Sequence, residues 1–80
     1  MTPFNKMEYG DIFIMQVNIP ATIEQGFISK HEEDYESVML KTGDDYCTDL
    51  KRWDDIDIED LSEEFEVIGH LNEFGEVEPK

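Results

Sequence analysis

The chain has 80 residues, with 21 Asp and Glu against 6 Lys and Arg, a formal net charge of −15. That length fits one domain near the lower limit for a single core, and the charge repels nucleic acid and anionic membrane while attracting basic surfaces. Leu, Ile, Val and Phe supply 21 of the 80 residues, too many for a highly charged disordered chain, so one folded domain over 1–80 is expected.

The acid is unevenly placed. Residues 1–30 hold three acids and two bases, residues 31–80 hold eighteen acids and four bases, and 54–66 carries eight acids with no base. Solubility alone accounts for only part of such a field, because self-repulsion lowers stability. The sequence has no signal-type apolar region and no run near the ~20 apolar residues of a membrane span. A single cysteine, Cys47, excludes an internal disulfide, and a cytoplasmic location (that of the host cell, for a phage-encoded protein) is the simplest expectation.

In chain order, 1–9 reads as a loose lead-in in which Phe4, Met7 and Tyr9 are available to pack. Gly10-Asp11 is turn chemistry, and the near-continuous apolar run 12–17 is a strand covered on both faces. Pro20 lacks the ladder donor and ends it. Residues 21–26 fit a loop or a single helical turn, a short strand begins at Gly26, and 31–34 is a polar loop. The third strand spans about 35–42, with Val38 and Leu40 on one face and Tyr35, Ser37 and Met39 on the other. Gly43-Asp44-Asp45 reads as a hairpin turn with the glycine at positive φ, and 46–50 as the returning strand.

From Asp54 the period changes. Ile58, Leu61 and Phe65 fall at i, i+3 and i+7, with Asp57 as N-cap and Glu59 and Asp60 at the positive end of the dipole. This spacing predicts a short acidic helix near 58–64, followed by a strand over 65–71 and a loose tail, 72–80, in which Phe74 and Val77 are available to pair along a sheet edge. The expected class is α+β and β-rich. It has four or five antiparallel strands in a twisted sheet or small SH3-like barrel, plus that one helix.

Metal and catalytic chemistry find little support. Asp55, Asp57, Glu59 and Glu66 match calcium-loop positions, but Asp60 stands where the sharp turn needs glycine. Cys47, His31 and His70 lack zinc spacing, and a Cys–His nucleophile pair would need two of them to meet in space. No glycine-rich phosphate loop occurs, so neither cofactor nor metal nor catalysis is expected. DNA mimicry has the better physical basis. Carboxylates at alternate strand positions stand about 6.5 Å apart on one face, and a folded array of them would engage a groove built to neutralise phosphates. Apolar residues beside the array would add specificity.

Glu36-Ser37-Val38-Met39-Leu40 resembles the Glu-Ser-Ile motif, and the Met/Leu residues after it, of the phage uracil-DNA glycosylase inhibitors, which are small acidic DNA mimics. Val38-Met39-Leu40-Lys41-Thr42 is similar to a central strand of that family, and Glu63-Glu64-Phe65-Glu66-Val67-Ile68-Gly69 to its acidic-helix segment, in a different order. The resemblance implies that Glu36 and Ser37 hydrogen-bond at the edge of the glycosylase's DNA cleft. Val38, Met39 and Leu40 would line an apolar pocket for the side chain the enzyme wedges into DNA. The family's helix after the motif is replaced here by the turn Lys41-Thr42-Gly43.

The resulting expectation is a non-catalytic inhibitor that binds a basic DNA-binding protein, uracil-DNA glycosylase first, without binding nucleic acid itself. Asp44, Asp45, Asp54, Asp55, Asp57, Glu59 and Asp60 would supply the field. A restriction or CRISPR nuclease would meet the same surface. The alternative is a small SH3-like interaction module for a basic partner, suggested by Gly10-Asp11-Ile12, Thr42-Gly43-Asp44 and Phe65-Glu66-Val67-Ile68, with Tyr9, Tyr46 and Trp53 as its groove. An exposed Trp53 would favour that groove.

Overall fold

In the computed structural model, which describes residues 1–79, the regular structure is nearly all β: β1 (Thr2–Pro3), β2 (Asp11–Ile19), β3 (Thr22–Glu24), β4 (Phe27–Lys30), β5 (Glu33–Lys41), β6 (Tyr46–Asp49), β7 (Asp54–Asp57), β8 (Glu64–Leu71) and β9 (Val77–Pro79), with one 3-10 turn at Phe4–Lys6. β2, β5, β6 and β7 form an antiparallel meander, and β8 returns to the free side of β2, giving the order β8-β2-β5-β6-β7. β1 and β9 share the outer side of β8, one at each end. The sheet curls strongly around a core of Phe4, Met7, Phe13, Val17, Met39, Cys47, Ile58 and Phe65. Phe4, Phe13 and Phe65 meet edge-on or tilted with centroids 5.0–6.4 Å apart, the arrangement that ring quadrupoles favour.

The α+β expectation is overturned: no α-helix occurs among the described residues, and the class is all-β. Asp57, read as a helix N-cap, ends β7 opposite Tyr46, and Phe65 already belongs to β8. Between them the backbone turns. The Ile58 amide donates to the Asp45 carbonyl at 2.8 Å, and Asp60 Oδ1 accepts from the Ser62 amide at 3.0 Å and its hydroxyl at 2.6 Å. This local side-chain bonding competes with helix. The apolar spacing did mark inward residues, since Ile58 and Phe65 are buried and Leu61 packs against them. They reach the core from a crossing loop.

The alternation along β5 is present as expected, with Val38 and Leu40 on one face and Tyr35, Ser37 and Met39 on the other. Ser37, Met39 and Lys41 point into the curl, while Glu36, Val38 and Leu40 lie on the convex side. The polar inward residues are each engaged. Ser37 donates to Asp49 Oδ1 at 2.6 Å, and the Lys41 ammonium donates to the Phe4 and Met7 carbonyls at 2.7 and 2.9 Å. Lys41 therefore fastens the first residues to the body: Phe4 and Met7 belong to the core, and the Phe4 amide donates to the Glu63 carbonyl. At the other terminus, Asn72 Oδ1 accepts from the amides of Phe74 and Glu76, and the turn returns Val77–Pro79 to β8.

Glycine at the β5–β6 turn has a different reason from the one expected. Gly43 is not at positive φ; a Cβ there would stand inside the Tyr46 ring. Positive φ falls instead at Gln25 and Gly26, 52° and 80°, the two central residues of a tight turn between the paired Glu24 and Phe27. Two successive positive φ values mark a type I′ hairpin. Residues 21–26 are thus β3 and its turn, and the second half of the polar loop expected at 31–34 is the start of β5. β2 and β5 stay paired out to Ile19 and Glu33, beyond the core, and carry this hairpin as an arm. The molecule measures 48 × 24 × 18 Å, and its 14.4 Å radius of gyration exceeds the ~12 Å of a compact chain of this length.

Candidate partner-binding surface

Two elements build an acidic groove with an apolar floor. The distal half of β2 presents Met15, Val17 and Ile19, and β7 with the turns after it presents Ile56 to Asp60 and Glu63. Between them runs a groove of about 430 Å³ that also touches Asn18. Its floor is Met15, Val17, Ile56 and Ile58, its carboxylates are Asp57, Glu59, Asp60 and Glu63, and no lining residue is basic. Ile58 is pinned by Asp45, and the Glu63 amide donates to the Asp60 carbonyl, so the carboxylates stand on a tied backbone. Ser62 holds the Asp60 carboxyl below its ordinary pKa, through the hydroxyl first and the amide second, which fixes it as an anion.

A second shallow depression, about 300 Å³, lies on the convex side and collects Glu36, Glu63, Glu64 and Glu66 around Ile14, Gln16, Phe65 and Met1. Strand register explains it: Ile14 stands between Val38 and Glu66, and Gln16 opposite Glu36. Carboxylates and branched apolar side chains thereby alternate across three strands.

The expected site residues are divided among these regions. Asp57, Glu59 and Asp60 come together in the groove, and Glu36 faces the convex depression. Asp44 and Asp45 are exposed at the β5–β6 turn, where Asp44 accepts from the Tyr9 hydroxyl. Asp55 accepts from Thr48 at 2.8 Å, and Asp54 borders a hollow with Ile19, Lys30, His31, Glu33 and Arg52. Val38 is exposed and Leu40 half-buried on the convex face. Ser37 and Met39 are buried, 4% and 0% exposed. The Ser37 hydroxyl is engaged by Asp49, although the residue borders a shallow hollow with Glu36, Val38, Leu50 and Lys51, and the Met39 thioether fills the core.

Asp49 organises the turn from β6 to β7, which the sequence did not single out. This fully buried carboxylate accepts from Ser37, Tyr35, the Lys51 amide and the Arg52 amide. Burial works to raise its pKa, yet those hydrogen bonds together hold it below the ordinary aspartate value. Arg52 lies over the Tyr35 ring at 4.3 Å and pairs with Glu33. The turn delivers Trp53 to solvent at 76% exposure with φ +61°, a conformation bulky side chains rarely adopt.

Cys47 is buried, and burial, then Asp49 and Asp55, push its thiol up to about 12, so the thiolate that nucleophilic or metal chemistry requires is suppressed. Asp55 and Asp57 lie on β7 and Glu66 on β8, extended strands in place of a calcium loop. Glu8, Asp11 and His70 offer ligand atoms within 4.8 Å of one another. Buried Asp11 already receives the Glu8 amide and contacts His70 Nδ1 at 2.8 Å, which ties the start of β2 to β8. No helix among the described residues is long and apolar enough to cross a membrane. Comparison of the chain with protein-family models, with curated proteins and with solved structures finds no match.

Proposed function

We propose that this protein is a non-catalytic acidic binding protein that occupies the basic nucleic-acid-binding groove of a partner by imitating phosphate charge. The observation that carries the reading is the groove with an apolar floor, four carboxylates and no base. Arginine and lysine side chains have the complementary form: an aliphatic stem for the floor and a cationic head for the rim. A chain of net charge −15 also accelerates encounter with a basic surface.

Uracil-DNA glycosylase is the first target to test, and restriction and CRISPR nucleases present the same kind of groove. Because Ser37 and Met39 are buried, the reading rests on the groove and the convex carboxylates, with Glu36 the motif residue best placed to take part. One enzyme of each kind is titrated with the protein against its DNA substrate. Inhibition that added DNA relieves, and that Asp57→Asn with Glu59→Gln weakens, is the expected result. Failure of equimolar and excess protein to inhibit all three would sink the reading for these targets.

The exposure of Trp53 favours a second reading, an interaction module for a basic protein segment outside any DNA-binding groove. Tyr9 and Tyr46 are also exposed, but they flank the Asp44 turn at the far end of β6 from Trp53. For such a partner, binding would depend on Trp53 and be indifferent to DNA.

A further inference from the structure

The tip of the arm is the part of the surface that the acidic reading leaves unused. Residues 20–31 contain Glu24 and Lys30 and no other acid, lysine or arginine, so the tip is neutral while the rest of the chain carries the whole −15. It exposes large apolar side chains: Ile23 is 68%, Phe27 78% and Ile28 56% accessible. Ile23 and Ile28 are cross-strand neighbours, and β3 and β4 pair only with each other, so both edges of the hairpin are open among the described residues. A two-stranded hairpin with bare edges and an apolar face is marginal by itself and gains from another strand or face.

We infer that this tip is a self-association element, and that its occupant is the tip of a second copy of the chain. Charge selects the occupant and the place. Two bodies of charge −15 repel wherever they meet, except at a neutral end held away from both by the paired arm. Glu32, Glu33 and Asp34 at the arm's base oppose deeper overlap. The hairpin is also self-complementary, because Glu24 lies beside the turn and Lys30 at the opposite end. The register places Thr22, Glu24, Phe27 and Lys30 on one face of the hairpin, so an antiparallel two-fold contact through that face sets each Glu24 near Lys30 of the second copy and packs each Phe27 against the facing Thr22–Lys30 pair. With so few side chains the contact is smaller than the ~1,200 Å² of a stable interface, so the dimer is weak and concentration-dependent.

Sedimentation velocity and small-angle scattering of the full chain over a concentration series test this without any partner. Dimerisation tightens as salt rises from about 50 mM to about 500 mM, because screening relieves the repulsion between bodies. The dimer lengthens toward roughly 80 Å, twice the 48 Å of one chain less a hairpin overlap of about 13 Å. Phe27→Ser loosens it by about tenfold, and Glu24→Lys and Lys30→Glu each weaken it while the double exchange restores it. These positions lie outside the core, so the variants keep the wild-type melting curve.

Any of four results would overturn the inference: a chain monomeric at millimolar concentration in high salt, a dimer that salt weakens, a compact dimer, or one indifferent to Phe27→Ser. Monomeric protein whose tip instead partitions onto neutral phosphatidylcholine vesicles would assign the hairpin to a bilayer, also overturning it. The assay contains no DNA-binding enzyme, so its outcome is separate from that of the inhibition test.

Discussion

The Ser37 hydroxyl donates to Asp49 Oδ1 at 2.6 Å with both residues closed off from solvent, and the Tyr35 hydroxyl meets the other carboxylate oxygen at 2.7 Å. One carboxylate thereby joins β5 to the turn after β6. Asp49→Asn replaces two acceptor oxygens with one and turns an amide toward the donors, so it is expected to cost about 2–4 kcal/mol in urea unfolding at neutral pH. The pH dependence has a definite sign. A carboxylate whose folded pKa is depressed stabilises above its unfolded value, about 3.9, and that contribution fades as pH falls through the folded pKa. The Asn variant lacks this increment of acid sensitivity; equal slopes for both proteins between pH 5 and about pH 2 would contradict the assignment.

Lys41 makes a second tie. Its buried ammonium serves the carbonyls of Phe4 and Met7 and stands 4.5 Å from the Phe4 ring centroid. Lys41→Met keeps much of the stem and removes both donors, which is expected to destabilise the fold by about 2–3 kcal/mol. Limited proteolysis should then cut within 1–9 faster than elsewhere. Unaltered protection of that segment would show that Phe4 packing alone holds it.

Trp53 predicts a gain. Glycine adopts φ near +61° without the steric penalty an indole-bearing residue meets, so Trp53→Gly should raise stability by about 1 kcal/mol, while Trp53→Ala should not. Because it is the chain's single tryptophan, its native emission reports one site and should lie close to that of solvated indole. If the second functional reading holds, the same Gly variant folds better and binds worse.

Cys47 should be silent. Reaction of the native protein with an aromatic disulfide reagent is expected to be at least about a thousandfold slower than that of the urea-unfolded chain, because exposing the thiol requires global opening. Fast native labelling would place the cysteine at the surface.

What the sequence made legible follows from which signals are local. The apolar run at 12–17 and the alternation at 35–42 located β2 and β5, because strand periodicity is written residue by residue. Which face of β5 turns inward was not legible, because the partners that let polar Ser37 and Lys41 be buried, Asp49 and the carbonyls of Phe4 and Met7, lie far along the chain. The helix near 58–64 failed because three apolar residues at helical spacing are also what a loop crossing the core supplies. The acids of 54–60 were visible in composition. That Asp57, Glu59 and Asp60 would share a groove with Met15, Val17 and Glu63 required the curl that carries β7 toward β2, and no local pattern announces it. A positive φ at tryptophan has no sequence signature at all.

The position of β7 at the end of the sheet has one more consequence. β8, the strand at the other end, has its outer side taken up by β1 and β9, so within the main sheet a strand arriving from outside finds open ladder groups at β7. There it must settle beside Asp54, Asp55 and Asp57. An apolar strand would strip water from those carboxylates with nothing to replace it, whereas a lysine-bearing strand would bring its own counterions. The carboxylates of β7 thereby guard this margin of the sheet against the apolar strand pairing to which bare edges are open.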